Sequence, residues 1–342
     1  MNPPGGRCYH IGLRSLAVCS APWINGVAMK IAWTLVFALG LASSMVPAAA
    51  AQPTARTAEL RKRLAAMAGR HRGKVTLSAR NLKTGEVLGL DPSRVVQTAS
   101  VIKLLIFVEA FHQIKDGKKS LSDRVVLEPG DRVEGSGILR YLHAPLELSF
   151  EDALVLMMIE SDNTATNLVI DQVGLASVNA RGATLGLSHT WLYKKVYKPA
   201  EGPMPADQKI YGLGKTTAGE MESLMGSVAS CEVGDDKLCQ RMIEIMKGQQ
   251  YRNMIPHYIE PGPGSSGATT AIADKVGALD AFRADVGIVY TRGGPIVISA
   301  FTYQNKDQRW LYENEGELLI AQMAKAIVEA WSGEEMTAGK AR

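Results

Sequence analysis

Residues 98–107, TASVIKLLIF, place a single lysine inside an otherwise apolar run. Almost every position from Val101 to Phe111 is apolar or small, which predicts a helix that is buried on most sides. Lys103 follows Ser100 by three residues, and residues three apart share one face of a helix. Because burial disfavours the charged form of a lysine, such an amine can act as a base toward the neighbouring hydroxyl. A capping serine followed by a solvent-reaching lysine has the same spacing, so this pair alone leaves both interpretations open.

A second polar group separates two predicted helices in the middle of the chain. The first helix covers 149–160, and the second runs through 164–173. Between them lie Ser161, Asp162 and Asn163. Ser161 can relay a proton to a leaving nitrogen, and Asn163 can bind an amide carbonyl. Asp162 is suited to cap the second helix, and capping alone would also explain the triplet.

A third group places a lysine next to a glycine, in the stretch Asp274–Ala278, which is expected to end or interrupt a strand. Glycine in a strand permits the close approach of a ligand or of another backbone. Lys275 is therefore a candidate cation facing a cleft. A lysine on an exposed edge strand, where it discourages aggregation, fits the same pattern.

The order of the elements indicates the fold class. Apolar patterns predict strands at 75–90 and again at 269–303, with a largely helical segment between them. Amphipathic helices are predicted within 57–70 and around 318–331. One sheet built from distant segments, covered by terminal helices and joined to a helical second lobe, is an α+β architecture with a cleft between the lobes.

Taken in order, the three polar groups resemble a known motif set. Ser-x-x-Lys from Ser100, Ser-Asp-Asn from Ser161 and Lys-x-Gly from Lys275 resemble the motifs of class A β-lactamases and penicillin-binding proteins. The segment 136–139, SGIL, is also similar to class A sequences. The resemblance extends over roughly Thr57–Trp331. It implies the two-lobed β-lactamase/transpeptidase-like fold, with an antiparallel sheet beside an all-helical lobe, and no cofactor.

The resemblance implies a role for each catalytic candidate. Ser100 would be the nucleophile, and Lys103 would be the base that activates it. Ser161 would relay the proton to the leaving nitrogen. Lys275 would supply positive potential for the hydroxyl groups and for a substrate carboxylate.

The resemblance also implies a set of substrate-binding residues. Asn163 would bind the amide side chain of the substrate. The backbone N–H groups of Ser100 and of Ala278, which follows Gly277, would form an oxyanion hole. Arg283 would add affinity for a carboxylate.

Two positions depart from the family pattern. Class A β-lactamases carry a Glu-x-x-Leu-Asn loop, whose glutamate activates the water that hydrolyses the acyl-enzyme, and this chain lacks that sequence in the loop. Alignment from Leu192 places Val196 at the glutamate position, with Glu201 and Asp207 as nearby acids. Val276 stands where the family usually has a hydroxyl, a loss of about 1–3 kcal/mol in carboxylate binding. By this resemblance, both changes would weaken β-lactam hydrolysis, while acylation by Ser100 and Lys103 would be unaffected.

Three functions remain open from the sequence. The first is an exported serine hydrolase that opens β-lactam rings as a class A-like β-lactamase without the usual deacylation glutamate. The second is a D-Ala-D-Ala peptidase or esterase of the same fold, and the third is a penicillin-binding sensor or pseudoenzyme. We favour an enzyme, because binding alone requires no nucleophile. The expected partner is a small β-lactam or a cell-wall peptide, the expected state is a monomer, and the scattered histidines predict no metal site.

The charge balance argues against a nucleic-acid partner. The 342 residues include 38 basic and 34 acidic side chains, a net charge of +4. The first 51 residues hold three of the basic residues and no acid, which leaves 35 basic against 34 acidic in the remainder. A basic surface for nucleic acid is therefore not predicted.

Residues 1–51 resemble a presequence with a signal peptide. Met29 and Lys30 precede an apolar run, 31–41, and four alanines follow Pro47. This order of charged, apolar and small residues predicts Met29 as the true start, cleavage near Ala50-Ala51 and a periplasmic or secreted protein. The run is short for a membrane span, so no stable span is expected after signal removal, although an uncleaved anchor is the alternative.

The rest of the chain is predicted to be one β-lactamase-like catalytic domain at 52–332, followed by a tail at 333–342. This part contains Cys231 and Cys239, with seven residues between them. In an oxidising compartment such a pair is expected to close a small loop as a structural disulfide. A metal site would need more ligands nearby.

Overall fold

The structure, a computed structural model, describes residues 54–259 and 272–332. The predicted presequence 1–51 and tail 333–342 lie outside the described residues, so the start at Met29 and the cleavage near Ala50-Ala51 stay predictions. Among the described residues, no helix combines the length and the apolar character that crossing a membrane requires.

The described residues form helices and strands in alternating groups along the chain. The helices are α1 (Ala55–Arg70), α2 (Lys103–Lys115), α3 (Phe150–Ile159), α4 (Asn163–Val173), α5 (Leu175–Thr184), α6 (Gln208–Tyr211), α7 (Ala218–Ala229), α8 (Asp236–Lys247) and α9 (Glu315–Trp331). The strands are β1 (Lys74–Asn81), β2 (Val87–Leu90), β3 (Val96–Gln97), β4 (Arg124–Leu127), β5 (Leu146–Ser149), β6 (Trp191–Leu192), β7 (Gly214–Thr216), β8 (Ile272–Leu279), β9 (Phe282–Thr291) and β10 (Gly294–Tyr303). Short 3-10 helices cover Ala99–Ile102, Pro129–Asp131 and Leu139–Tyr141.

The largest sheet has five antiparallel strands in the order β2-β1-β10-β9-β8. It joins distant parts of the chain, because β1 pairs with β10 along its whole length. Strand β8 lies at one edge, and its register places Lys275 opposite Val286 and Val276 opposite Asp285. The predicted α+β fold, with one sheet built from both ends of the chain, is confirmed.

Strand β8 corrects one detail of the sequence analysis. It runs without a break from Ile272 to Leu279, and each of its residues has a partner in β9. The stretch Asp274–Ala278 therefore lies inside a strand and neither ends nor interrupts it. Gly277 causes no break in the strand, because it is paired with Ala284 like its neighbours.

The two faces of the sheet pack against different helices. On one face, α1 and α9 bury a core that includes Leu64, Leu77 and Ile327. The other face contributes Val286 and Phe301 to a larger core that contains the residues of α2. Opposite faces belong to different cores because successive side chains of a strand point to opposite sides.

Helix α2 is buried as its apolar run predicts. From Leu104 to Phe111 each residue is at most 5% exposed. The residues before α2 form the 3-10 helix Ala99–Ile102, so Ser100 lies in this turn and not in α2 itself. Residues three apart also eclipse each other in a 3-10 helix, and Lys103 follows at that spacing.

The predicted disulfide is present. Cys231 is bonded to Cys239, and their Cα atoms are 5.5 Å apart. Cys231 lies just after α7 and Cys239 is a buried residue of α8, so the bond fixes the connection between these two helices.

Replacing both cysteines with serine is expected to lower the free energy of unfolding by about 2–3 kcal/mol, because a short cross-link restricts the unfolded chain. Urea unfolding followed by circular dichroism measures the difference. Wild-type protein unfolded in the presence of a reductant is the matched control and should resemble the double variant. An unchanged unfolding midpoint in the variant would contradict a structural role for this bond.

Candidate active site

Ser100 lies where the 3-10 helix Ala99–Ile102 meets strand β8. Ala99, just before it, has a φ of 44°, a left-handed conformation that costs free energy in a residue other than glycine. A Cβ atom on Gly277 would lie only 3.1 Å from Ser100 N, so a glycine there permits the close approach. The backbones of the first and third motifs therefore touch, while Ser100 stays partly exposed.

Lys103 connects the first motif to the second. Its side chain is fully buried, and Nζ donates to Ser161 O at 2.7 Å and to Asn163 Oδ1 at 3.0 Å. Nζ also lies 3.2 Å from Ser161 Oγ. Among the described residues, Lys103 has no hydrogen bond to Ser100 Oγ, so in this state its amine is directed toward the second motif.

Lys275 reaches the same hydroxyl from strand β8. It is also fully buried, and its Nζ donates to Ser161 Oγ at 3.0 Å and to Val276 O at 2.9 Å. Ser161 has a left-handed φ of 53° in the turn between α3 and α4. This strained turn presents one hydroxyl oxygen to two lysine amines, and so the three motifs meet at Ser161 Oγ.

The electrostatics of the site favour an uncharged Lys103. Burial lowers the pKa of Lys103 well below its ordinary value of 10.5, and the nearby Lys275 lowers this pKa further. Burial also lowers the pKa of Lys275, to about 7, although Asp274 and Asp285 oppose that shift. A neutral amine has two N–H donors and one lone pair. Because the carbonyl oxygens of Ser161 and Asn163 occupy the donors, the lone pair is left to accept a hydroxyl proton.

Ser136 holds the Ser161 turn in place, and the sequence analysis did not identify it as a site residue. Ser136 Oγ donates to Ser161 O at 2.7 Å, the same carbonyl that Lys103 contacts. Ser136 O accepts from Asn163 N at 3.0 Å. The available signal was the similarity of 136–139 to class A sequences, which carries no information about these partners.

Asp162 anchors the same turn from its other side. Its Oδ2 accepts from Ile138 N at 2.7 Å and from Leu139 N at 2.8 Å, and its Oδ1 accepts from Ala165 N at 2.9 Å. The last of these bonds is the predicted cap of α4. Gly137 has a φ of 107°, and a Cβ atom there would lie 2.2 Å from Asp162 Cγ. Glycine is therefore required for this segment to enclose the carboxylate.

The structure places the predicted substrate-binding residues Asn163, Gly277 and Ala278 next to residues of the first motif, Asn163 beside Lys103 and Gly277 beside Ser100. Asn163 Nδ2 donates to Glu134 O at 3.0 Å, which leaves its second N–H for a ligand. Ala278 is partly exposed and follows Gly277 along β8. Since Gly277 lies against Ser100 N, the two residues predicted to supply the oxyanion hole are neighbours.

Arg283 is buried away from the motif residues, which corrects its predicted role in binding a carboxylate. It lies on the face of β9 that packs against α9, because Arg283 and Val286 fall on opposite sides of the strand. Its side chain is fully buried, and Nε donates to Glu317 Oε1 at 2.8 Å. Further N–H groups donate to Phe282 O and Arg309 O, each at 2.9 Å. Internal partners thus occupy the guanidinium.

Val196, the residue aligned with the hydrolytic glutamate, is fixed by its backbone. Asn167 Nδ2 donates to Val196 O at 2.9 Å, and Val196 N donates to Asn167 Oδ1 at 2.8 Å. Asn167 lies one turn after Asn163 on α4, so this loop position is held beside the helix that carries the second motif. The side chain at this position is apolar and 8% exposed.

The second departure, Val276, and the two nearby acids, Glu201 and Asp207, lie in three separate environments. Val276 packs in the core beneath α1 and α9. The side chain of Glu201 is 87% exposed and lies 3.8 Å from Lys195 Nζ. Asp207 accepts from Lys215 Nζ at 2.6 Å. Both acids that could have replaced the glutamate therefore lie beside lysines, and Glu201 is largely in solvent. Within 54–259 and 272–332, no group of three or more His, Cys, Asp or Glu residues is arranged to hold a metal ion.

Comparison with known proteins identifies the family. The model of the β-lactamase enzyme family matches residues 59–331, and the chain belongs to that family. A β-lactamase from Sphaerobacter thermophilus is 29% identical with a TM-score of 0.68, and the alignment covers 80% of this chain and 96% of that one. A PBP-A variant in an acyl-enzyme complex with penicillin G is 24% identical with a TM-score of 0.67, over 80% of this chain and 96% of that one.

One curated relative has a regulatory description. The β-lactamase regulatory protein BlaB of Streptomyces cacaoi is 31% identical over 105 residues, which are 30% of this chain. The match spans 33% of the length of that relative.

The pKa of Lys275 leads to a prediction about pH. Because this pKa is about 7, the ammonium loses its proton as the pH rises through that value, and the acylation that the family resemblance implies would then fall if it depends on the positive charge. Lys275→Arg should move this alkaline limb to a pH above about 9, because a guanidinium stays charged. The second-order rate constant of acylation by penicillin G, measured from pH 5 to 10, tests this. Lys306→Arg, at an exposed lysine, should leave the limb in place, and an unmoved limb in Lys275→Arg would exclude Lys275 as its source.

Proposed function

We propose that this protein is a serine hydrolase that opens the β-lactam ring through an acyl-enzyme on Ser100 and releases the acyl group slowly. One observation carries the proposal: Ser161 Oγ lies 3.2 Å from the buried amine of Lys103 and 3.0 Å from that of Lys275. A hydroxyl between two amines of lowered pKa is suited to moving protons at neutral pH. Membership of the β-lactamase enzyme family supports the assignment.

Acylation uses the residues of all three motifs. Neutral Lys103 accepts the hydroxyl proton of Ser100 while Ser100 Oγ attacks the lactam carbonyl carbon. Negative charge develops on the carbonyl oxygen, and the N–H groups of Ser100 and Ala278 would stabilise it, each donor contributing about 3–4 kcal/mol. The C–N bond then breaks, and the nitrogen receives the proton from Lys103 through Ser161 Oγ. Protonated Lys275 attracts the carboxylate of the substrate.

Deacylation requires a base that activates a water molecule. The resemblance to class A enzymes expects a glutamate for this task, and Val196 occupies the aligned position. A valine cannot accept a proton, so the ester on Ser100 would persist longer than in an enzyme that has the glutamate. The bonds between Asn167 and Val196 support this view, because they hold the loop beside α4. The residue held there is a valine and has no carboxylate.

The missing deacylation glutamate favours a second candidate, a D-Ala-D-Ala peptidase or esterase. An amide or ester of a cell-wall peptide presents the same carbonyl to Ser100, and the acylation residues would act on it unchanged. With a peptide as natural substrate, a long-lived penicillin adduct would be a side reaction. A penicillin-binding sensor would form a similar adduct, and the short match to a regulatory protein is consistent with that role.

We also propose that the protein acts outside the cytoplasm. The sequence of residues 1–51 has the order of a signal peptide. The disulfide between Cys231 and Cys239 supports an oxidising compartment, because such bonds persist there.

Intact-mass spectrometry of the mature protein mixed with penicillin G tests the proposed function. We expect one adduct with the mass of the whole ligand, formed within minutes and lost over hours. Ser100→Ala should form none. An adduct that forms on Ser100→Ala, or no adduct on the wild type, would refute acylation at Ser100. Rapid turnover by the wild type would refute slow deacylation.

Val196→Glu is expected to accelerate loss of the penicilloyl adduct by at least about 10-fold, because a carboxylate at this fixed loop position can activate water. The decay of the adduct after removal of free ligand measures the rate. Val196→Gln has nearly the same shape but no basic carboxylate, and it is the matched control. If Val196→Glu and Val196→Gln decay at the same rate, the missing carboxylate is not the reason for slow deacylation.

A further inference from the structure

Tyr197 is an exposed aromatic residue beside the amide-binding end of the site. It directly follows Val196, and its side chain is among the large exposed ones at 62%. Tyr197 and Asn163 both lie next to Gly135. A Cβ atom on Gly135 would lie 2.5 Å from Asn163 Nδ2 and 2.9 Å from Tyr197 Cε2. The tyrosine ring and the Asn163 amide therefore flank the same point of the backbone.

Gly135 makes this proximity possible. Its φ is 84°, a left-handed conformation, and any larger side chain would overlap both the amide and the ring. The backbone of Gly135 is next to Glu134, whose carbonyl oxygen accepts from Asn163 Nδ2. The 134–135 backbone thus fixes Asn163 and at the same time leaves space for the ring.

Hydrogen bonds on both sides hold Tyr197 in position. The Val196 backbone is bonded to Asn167 through its N–H and its C=O. Lys198 Nζ donates to Gly130 O at 3.0 Å. Between these two anchors, Tyr197 has a φ of 53°, which costs free energy in a residue that is not glycine. Strain of this kind is concentrated at functional sites, and here it coincides with an exposed aromatic ring near Asn163.

We propose that Tyr197 is a specificity-determining residue, whose ring forms one wall for the substituent attached to the amide that Asn163 binds. A ring carried by a backbone that is already held loses less freedom when a ligand packs on it than a ring on a free loop. The matching chemistry is an aromatic or large apolar acyl group, which gains offset or edge-to-face contact with the ring. This inference rests on the proposed function, because it assigns the substrate class of the same site.

The test compares two penicillins that keep the amide but differ in the ring. Penicillin G carries a phenylacetyl group, and the N-acetyl derivative of 6-aminopenicillanic acid carries a methyl group instead. Tyr197→Gly removes the ring and suits the positive φ, so the loop loses a side chain without added strain. We expect the acylation rate constant to fall about 10-fold for penicillin G and less than about twofold for the acetyl compound.

Two further variants complete the design. Tyr197→Phe keeps the ring and should retain the preference for penicillin G. Tyr312→Gly removes another tyrosine that is 72% exposed, in the loop before α9, and should leave both rate constants unchanged. Unfolding midpoints of all variants report whether the fold is intact.

The outcomes separate this inference from the proposed function. If Tyr197→Gly lowers both rate constants equally, or lowers neither, Tyr197 does not determine specificity and the inference is overturned while acylation at Ser100 stands. If the wild type is acylated by neither penicillin, the proposed function fails, and the role of Tyr197 fails with it. A selective loss for penicillin G that Tyr197→Phe restores supports the inference.

Discussion

A single hydroxyl oxygen, Ser161 Oγ, lies within hydrogen-bonding distance of two fully buried lysine amines, and the site is organised around this constraint. Two ammonium groups so close together and out of water would repel each other strongly. Burial and the neighbouring Lys275 lower the pKa of Lys103 well below 10.5, which favours its uncharged form and so reduces that cost. Loss of the proton gives Lys103 the lone pair that a base needs. The apolar surroundings of α2 are therefore part of the chemistry as well as of the core.

The fold brings together three segments that are far apart in sequence. The sheet positions Lys275 and Gly277 on an edge strand, and the turn between α3 and α4 positions Ser161. Ala99 and Ser161 both have left-handed backbones, at 44° and 53°, and the surrounding structure bears this strain. Ser136 and the residues after it bind the carbonyl of Ser161 and the carboxylate of Asp162. The precision of the site therefore depends on a segment that contributes no catalytic group.

The sequence predicts those features of the fold and the site that depend on residues close together in the chain. The α2 run and the cap at Asp162 are local patterns, and they agree with the structure. The spacing of Ser100 and Lys103 is local too, but it does not predict that the Lys103 amine is bonded to Ser161 and Asn163. The prediction for Arg283 was wrong because successive residues of a strand point to opposite faces of the sheet. An alignment that is uncertain by one residue therefore does not decide which face Arg283 occupies. The positions of Ser136 and Tyr197 near the second motif were not predicted, because they depend on contacts with residues at least 25 positions away.

The state of Lys103 is the claim on which this account depends most, and NMR titration measures it directly. Lysine labelled with carbon-13 at Cε reports the charge of each amine, and Lys103→Arg identifies the signal of Lys103 by its loss. The account predicts that Lys103 titrates well below the ordinary lysine pKa of 10.5 and is neutral at pH values where exposed lysines remain charged. A Lys103 signal that titrates with the exposed lysines near 10.5 would contradict it.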